Sequence, residues 1–176
     1  IQDKLLTGDF PGSGKNIAGQ VGIINCEQDV TGDQVLTASD TELRQLAQQT
    51  ALFARMFPEA KLKLINALKA NGSAVAMTGD GVNDGPALKS AHIGIAMGKT
   101  GTEIAKTAAD LILTDDHLEK ITGAIEQGTK IYNNLKKAIR YIISIHIPII
   151  LTVTLPLLLG WKYANIFTPI HIVFLE

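Results

Sequence analysis

Thr78-Gly79-Asp80-Gly81-Val82-Asn83-Asp84 follows directly on the apolar run Ser73-Ala74-Val75-Ala76-Met77. A short apolar run that breaks into a glycine-punctuated loop predicts a strand delivering polar side chains at its carboxyl end. Open α/β sheets hold their ligands at that end. Gly79 and Gly81 let the backbone turn sharply and approach a ligand, and Asp80, Asn83 and Asp84 offer the hard oxygens that suit magnesium. The stretch therefore predicts an α/β fold with magnesium and phosphate chemistry. Two carboxylates four apart are also ordinary turn formers and caps, which is the plainer alternative.

Working outward, strand-like runs recur at Gln20 to Ile24, Gln34 to Thr37, Ala51 to Ala54, His92 to Ala96 and Leu111 to Thr114. Helical patterns lie between several of them, at Asn16 to Val21, Thr41 to Gln49 with Asp40 or Thr41 as cap, Glu59 to Ala70, Pro86 to Ala91 and Glu103 to Ala108. Alternation of this kind predicts a parallel, doubly wound sheet covered on both faces. From His117 the spacing of Leu118, Ile121, Ile125, Ile131, Leu135 and Ile139, with no proline before Pro148, predicts one long helix.

That helix changes character along its length. Tyr141 to Gly160 carries no formally charged side chain if His146 is neutral, and a run of about 20 residues spans a bilayer core of roughly 30 Å. A buried soluble helix is disfavoured because Ile147 to Leu159 has no polar face beyond Thr152 and Thr154. Lys130, Lys136, Lys137 and Arg140 crowd its amino end and place that end in the cytoplasm. Pro148 and Pro156 free the carbonyls of Ser144 and Thr152, and His146 is the ionisable group inside the span. Those features make Ser144 and His146 candidates for binding a transported ion; a histidine hydrogen-bonded at a proline kink is the alternative for His146. If Trp161 to Asn165 forms the outer turn, Glu176 returns to a similar depth and joins them.

The net charge is −1, and the basic residues show no aromatic interleaving, so no nucleic-acid partner is expected. A single cysteine, Cys26, excludes an intrachain disulfide. The start at Ile1 and the stop at Glu176 inside an apolar run suggest a fragment of a longer protein.

Three further stretches bear on chemistry. Thr7-Gly8-Asp9 follows the apolar pair Leu5-Leu6 and repeats the strand-then-turn arrangement, although such a turn is common as a helix cap. Gly12-Ser-Gly-Lys15 resembles a phosphate loop but fails on spacing, since Asp9 and Asn16 stand where that loop needs a glycine and a hydroxyl; it reads as the loop opening the next helix. In Phe53-Ala-Arg55-Met-Phe-Pro58-Glu-Ala-Lys61, a proline at a helix start sets Lys61 on the first turn, where an ammonium can neutralise a transferring phosphoryl group.

Met77 to Leu88, Pro58 to Lys61 and Ile131-Tyr-Asn-Asn-Leu-Lys-Lys-Ala-Ile-Arg-Tyr141, in this order, resemble a P-type cation-transporting ATPase of type II character. The resemblance implies a haloacid-dehalogenase-like, Rossmannoid partial sheet followed by a transmembrane helical hairpin. It implies the carboxyl-side phosphorylation domain over 1–128, a stalk and membrane helix over 129–160, an outer turn over 161–165, and the start of the next membrane helix over 166–176. It further implies magnesium at Asp80 with Asp84 in support, phosphate contact by Asn83, Thr7 and Lys61, and nucleotide contact by Gly8, Asp9 and Arg55. The cofactors implied are Mg²⁺ and ATP. The partners implied are a transported cation, membrane lipid, and the nucleotide, actuator and remaining membrane domains of the same polypeptide. The implied location is integral to a membrane, the plasma membrane being expected, with residues 1 to about 140 in the cytoplasm.

Departures matter too. Gly85 replaces a more usual alanine, and His146 and Ile149 stand where calcium pumps of the family carry Asn and Glu, which counts against calcium as cargo. Asp115-Asp116 also matches the family and reads as structural. The family's nucleophile motif, Asp-Lys-Thr-Gly-Thr, is absent from this sequence; Lys99 to Thr102 is preceded by Gly98 and opens a helix. Two other readings share some of these residues: a soluble phosphatase, disfavoured by the apolar run after Arg140, and a membrane-anchored binding module, disfavoured by Lys61, Asp80 and Asp84.

Overall fold

The computed structural model describes residues 1–24 and 26–160, which divide into a compact unit ending at Leu118 and a second unit beginning at Glu119. The first is α/β. Its elements run β1 (Leu5–Leu6), α1 (Pro11–Val21), β2 (Asp29–Thr31), α2 (Gly32–Thr37), α3 (Asp40–Gln49), β3 (Leu52–Ala54), α4 (Pro58–Ala70), β4 (Ala76–Gly79), a short 3-10 helix (Val82–Asp84), α5 (Gly85–Ser90), β5 (Ile93–Met97), α6 (Glu103–Ala108) and β6 (Leu111–Leu113).

All strand pairs are parallel, as the alternation of strands and helices predicts, but they form two sheets rather than one. The first has the order β1-β3-β2, with Leu6 opposite Phe53 and Val30 opposite Phe53; the second has the order β4-β5-β6, with Thr78 opposite Ile95 and Ala96 opposite Ile112. The physical reason is that β1 and β4 each end a sheet, and no strand among the described residues pairs with their remaining edges. Helix α4 joins the two halves. Its Ala60, Leu64 and Ala67 sit in a core with Val30, Val35, Leu43 and Phe53, while Ile65 sits in a second core with Met77, Leu88 and Ala96. Leu68 packs against both. Burial of a Leu or Phe side chain contributes about 1.5–3 kcal/mol, so α4 fastens both sheets through two adjoining faces.

Three sequence expectations are corrected. Gln34 to Thr37 is not a strand but lies in α2, with the strand just before it at Asp29–Thr31. The Gln34 side chain accepts the Thr31 amide at 2.8 Å, and Lys63 Nζ donates to the carbonyls of Leu36 and Ala38 at 2.8 Å, so both ends of this helix are satisfied from outside its own ladder. Gln20 to Ile24 is not a strand either. Helix α1 runs to Val21 and ends on Gly22 in the left-handed conformation (φ 75°), leaving Val21 and Ile24 exposed. Gly12-Ser-Gly-Lys15 is likewise inside α1, after Pro11 at its first turn, and does not form a loop.

Other elements follow their signals closely. Ser39, one residue before the expected cap, accepts the Glu42 amide, and Glu42 returns to the Ser39 amide at 3.0 Å. Pro58 opens α4, and Thr102 caps α6.

The second unit contains α7 (Glu119–Leu158), 40 residues with Pro148 and Pro156 inside it. At 1.5 Å per residue it is about 60 Å long. Glu119–Pro156 is long and apolar enough to cross a membrane by length and composition, with a mean hydropathy of 1.8 over its most apolar window. The outer turn expected at 161–165 and the second membrane helix expected from 166, including Pro169, His171 and Glu176, lie outside the described residues.

Candidate functional site

β4 carries Thr78 and Gly79 inside the strand, so the polar turn starts at Asp80. The chain then tightens through the 3-10 helix, with the Asp84 amide donating to the Gly81 carbonyl at 3.2 Å. Asp84 folds back over the strand end. A Cβ placed on Gly79 would meet Asp84 Cβ at 2.6 Å and its carboxyl carbon at 2.9 Å, so only glycine fits beneath that side chain. The glycine's use here is thus an approach by the chain's own carboxylate.

Asp84 is 7% exposed, and its carboxylate is met by Lys61 from the first turn of α4 at 2.6 Å and by the Gly81 amide at 3.3 Å. A buried carboxylate without a counter-charge is costly, and Lys61 supplies one across a separation of 23 residues in sequence. Asp80 and Asn83 differ. Both are exposed, and among the described residues neither side chain has a hydrogen bond or ion pair. The loop therefore holds one carboxylate fixed and internally paired, beside a carboxylate and an amide left open to a ligand. No group of three or more His, Cys, Asp or Glu side chains suited to a metal occurs among the described residues. The open donors fit magnesium, which takes one or two carboxylates and keeps several waters, better than a metal that needs an all-protein cage.

A second cluster forms at the carboxyl ends of β1 and β3. Thr7 Oγ1 accepts the Asp9 amide at 3.1 Å, the Met56 amide donates to the Thr7 carbonyl at 2.9 Å, and the Arg55 amide donates to the Asp9 carbonyl at 3.0 Å. The turn Thr7-Gly8-Asp9 is therefore moulded onto the end of β3. Arg55 has φ 49°, a left-handed conformation that costs a non-glycine residue of order 1–3 kcal/mol and that persists only where the surroundings impose it. Its guanidinium lies 4.2 Å from the centroid of Phe10, which is 65% exposed. Sequence reasoning picked out Arg55 but missed Phe10, whose only signal was an exposed-type aromatic directly after Asp9.

Lys15, rejected as a phosphate-loop lysine, pairs instead with Asp29 at 2.7 Å. Asp115-Asp116, structural by the sequence reading, lies ahead of α7, which begins at Glu119; Asp116 occupies a left-handed turn (φ 60°) where its carboxylate holds backbone amides of the β5–α6 loop. On α7, His146 Nδ1 donates to the Ile142 carbonyl at 2.8 Å, which leaves Nε2 as the ring's second, unbonded nitrogen. Thr152 Oγ1 turns back on the Pro148 carbonyl at 2.7 Å. The carbonyl of Ser144 receives no amide from Pro148.

The description "haloacid dehalogenase-like hydrolase" matches residues 4–92. Calcium-transporting ATPase 1 of Bacillus cereus is 45% identical over all of this chain, and calcium-transporting ATPase type 2C member 1 of Homo sapiens is 43% identical over 92% of it. The chain spans 20% and 18% of those two proteins. Among solved structures, a zinc-transporting PIB-type ATPase in an E2.Pi state superimposes with a TM-score of 0.65 at 32% identity, covering 86% of this chain and 20% of that one. A catalytic CPx-ATPase domain covers 72% of this chain and 40% of its own, with a TM-score of 0.53 at 28% identity. With its parallel strands and its lysine–aspartate pair at a strand end, the chain belongs to the haloacid dehalogenase-like hydrolases, and its relatives are the P-type cation-transporting ATPases.

Proposed function

We propose that this chain is the carboxyl-side part of the phosphorylation domain, with the following membrane helix, of a pump that uses ATP to move a cation across a membrane through an aspartyl phosphate. The observation that carries the proposal is the Lys61–Asp84 pair at 2.6 Å beside Asp80, whose carboxylate is open. Lys61 stands where an ammonium offsets charge on a transferring phosphoryl group, and Asp84 holds that ammonium in place. Asp80 and Asn83 would hold magnesium and phosphate oxygens. Magnesium, when bound, would neutralise charge developing on the phosphoryl oxygens. Thr7 would hold the phosphoryl group, and Gly8, Asp9 and Arg55 would line the nucleotide side.

The nucleophilic aspartate has to come from elsewhere in the polypeptide, because its motif does not occur in this sequence. The edges of β1 and β4 that no described strand pairs with, both ending in candidate site turns, suit a strand bearing that aspartate. Helix α7 would carry the signal from this site to the ion path, where His146 Nε2 and the Ser144 carbonyl, joined by Glu176, would contact the transported cation. Residues 1 to about 140 would lie in the cytoplasm, with the plasma membrane as the location.

Asp80→Ala in the full-length protein tests this reading. Phosphate incorporation from ATP is expected to disappear while membrane insertion persists. Normal incorporation would overturn the assignment of Asp80 to the metal site.

A further inference from the structure

The β5–α6 loop reaches the candidate magnesium loop through its backbone. The Thr102 amide donates to the Asp80 carbonyl at 2.8 Å, while Thr102 Oγ1 accepts the Ala105 amide at 3.3 Å and so starts α6. Because the Asp80 side chain has no partner among the described residues, main-chain anchors of this kind decide where its carboxylate points. The loop itself turns very tightly. A Cβ on Gly101 would lie 2.1 Å from the Met97 carbonyl oxygen, and one on Gly98 would lie 2.6 Å from that of Leu113.

What holds this loop is Asp116. Its Oδ1 accepts the Lys99 amide at 2.9 Å, and its Oδ2 accepts both the amide and the hydroxyl of Thr100 at 2.9 Å. The Gly98 amide donates to the Leu113 carbonyl at 2.8 Å, and the Asp116 amide donates to the same oxygen at 3.2 Å. Successive amides converging on one point form an anion-binding concavity, and a carboxylate fills it with charge-assisted bonds about twice as strong as neutral ones. Keeping a non-glycine residue at φ 60° costs energy, which these bonds offset.

We propose that Asp116 is a positioning residue for magnesium, acting through the loop Gly98–Thr102 to fix the main chain of Asp80. This rests on the assignment of Asp80 to the metal site. Residues that orient metal ligands typically change metal affinity about 10- to 100-fold when lost. The Asp116 carboxylate bonds the loop at Lys99 and Thr100, and the loop reaches Asp80 through its main chain, so loss of Asp116 should act on magnesium and leave ATP affinity alone.

The test uses the full-length protein carrying Asp116→Asn or Asp116→Gly, both of which tolerate the left-handed backbone, with Ser39→Ala as a control that removes a distant helix cap. Phosphorylation from ATP is titrated with Mg²⁺ and separately with ATP, and amide exchange is followed over Gly98–Thr102. The expected result is a Mg²⁺ midpoint raised about tenfold or more in both Asp116 variants, an unchanged ATP midpoint, faster exchange in the loop, and no Mg²⁺ shift in Ser39→Ala. Faster loop exchange with an unchanged Mg²⁺ midpoint would overturn the proposal and leave Asp116 as a structural brace. Equal shifts for Mg²⁺ and ATP, or a shift in Ser39→Ala as well, would also overturn it. A wild-type protein that phosphorylates without Mg²⁺ would instead refute the metal-site reading itself, and the proposal with it.

Discussion

Replacing Lys61 by methionine removes the ammonium from a pair whose two side chains are only 13% and 10% exposed. Methionine is unbranched and one atom shorter than lysine, so packing around α4 changes little and the main effect is electrostatic. Asp84 is left with a single long contact, the Gly81 amide at 3.3 Å, for a carboxylate that water barely reaches. Breaking one side of a buried pair costs about 3–5 kcal/mol, because the remaining charge is uncompensated. Every 1.4 kcal/mol is a factor of ten, so amides protected by the cooperative opening of this region should exchange faster by roughly two to three and a half orders of magnitude. Hydrogen exchange with mass spectrometry on the full-length protein, over peptides from α4 and from Thr78 to Ser90, reads this directly. Lys61→Met combined with Asp84→Asn should recover most of the protection, since both charges are gone and the shapes persist, yet phosphorylation should stay abolished. Protection in Lys61→Met within tenfold of wild type would refute the reasoning, as would a double variant whose loss equals the sum of the two single ones.

Gly79→Ala should push Asp84 off Lys61, since the new methyl would sit 2.6 Å from Asp84 Cβ; overpacking of this kind costs about 1–3 kcal/mol, and unchanged stability and phosphorylation would mean that the loop yields freely. Bonding to the Lys99 amide first, and to the amide and hydroxyl of Thr100 after it, lowers the Asp116 pKa to about 2 against the opposing effect of desolvation. A carboxylate depressed in the folded state stabilises fully above its unfolded pKa of about 3.9, and that contribution is lost as pH falls through about 2. The carboxyl carbon resonance of Asp116 should accordingly titrate near 2, and a midpoint near 4 would contradict the loop geometry. His146→Ala should change the cation dependence of ATP hydrolysis and leave ATP affinity unaltered; an unchanged cation dependence would return His146 to a helix-kink role, with Nδ1 on the Ile142 carbonyl as its purpose.

Much of this was legible in the sequence, and the reasons differ from one element to the next. Helix α6 falls at Glu103–Ala108 as the pattern predicted, because a threonine cap and a local apolar repeat fix it without help from elsewhere. Lys61 and Asp84 could be named singly, but their contact spans two elements and is a tertiary fact. Helix α1 hid behind its glycines. Gly14 lies inside it because a Cβ there would meet Leu52 Cδ1 at 2.8 Å, so the residue reports close helix-to-strand packing and not a loop. Gln34 to Thr37 looked like a strand through Val35 and Leu36, and α2 won through end contacts from Gln34 and from the distant Lys63. Asp116 was legible as a structural acid, but not what it holds. Its role depends on amides of Lys99 and Thr100 brought beside it by the pairing of β5 with β6. The single sheet expected from the alternation came out as two, since no strand among the described residues pairs with the remaining edges of β1 and β4.

The central claim is that this chain serves a cation-dependent aspartyl phosphate. Incorporation of labelled phosphate from ATP into the full-length protein in membranes, challenged with hydroxylamine across a panel of cations, tests it most directly. The account predicts a hydroxylamine-sensitive adduct that needs Mg²⁺ and whose level follows one transported cation. No adduct under any cation, or one resistant to hydroxylamine, would contradict it.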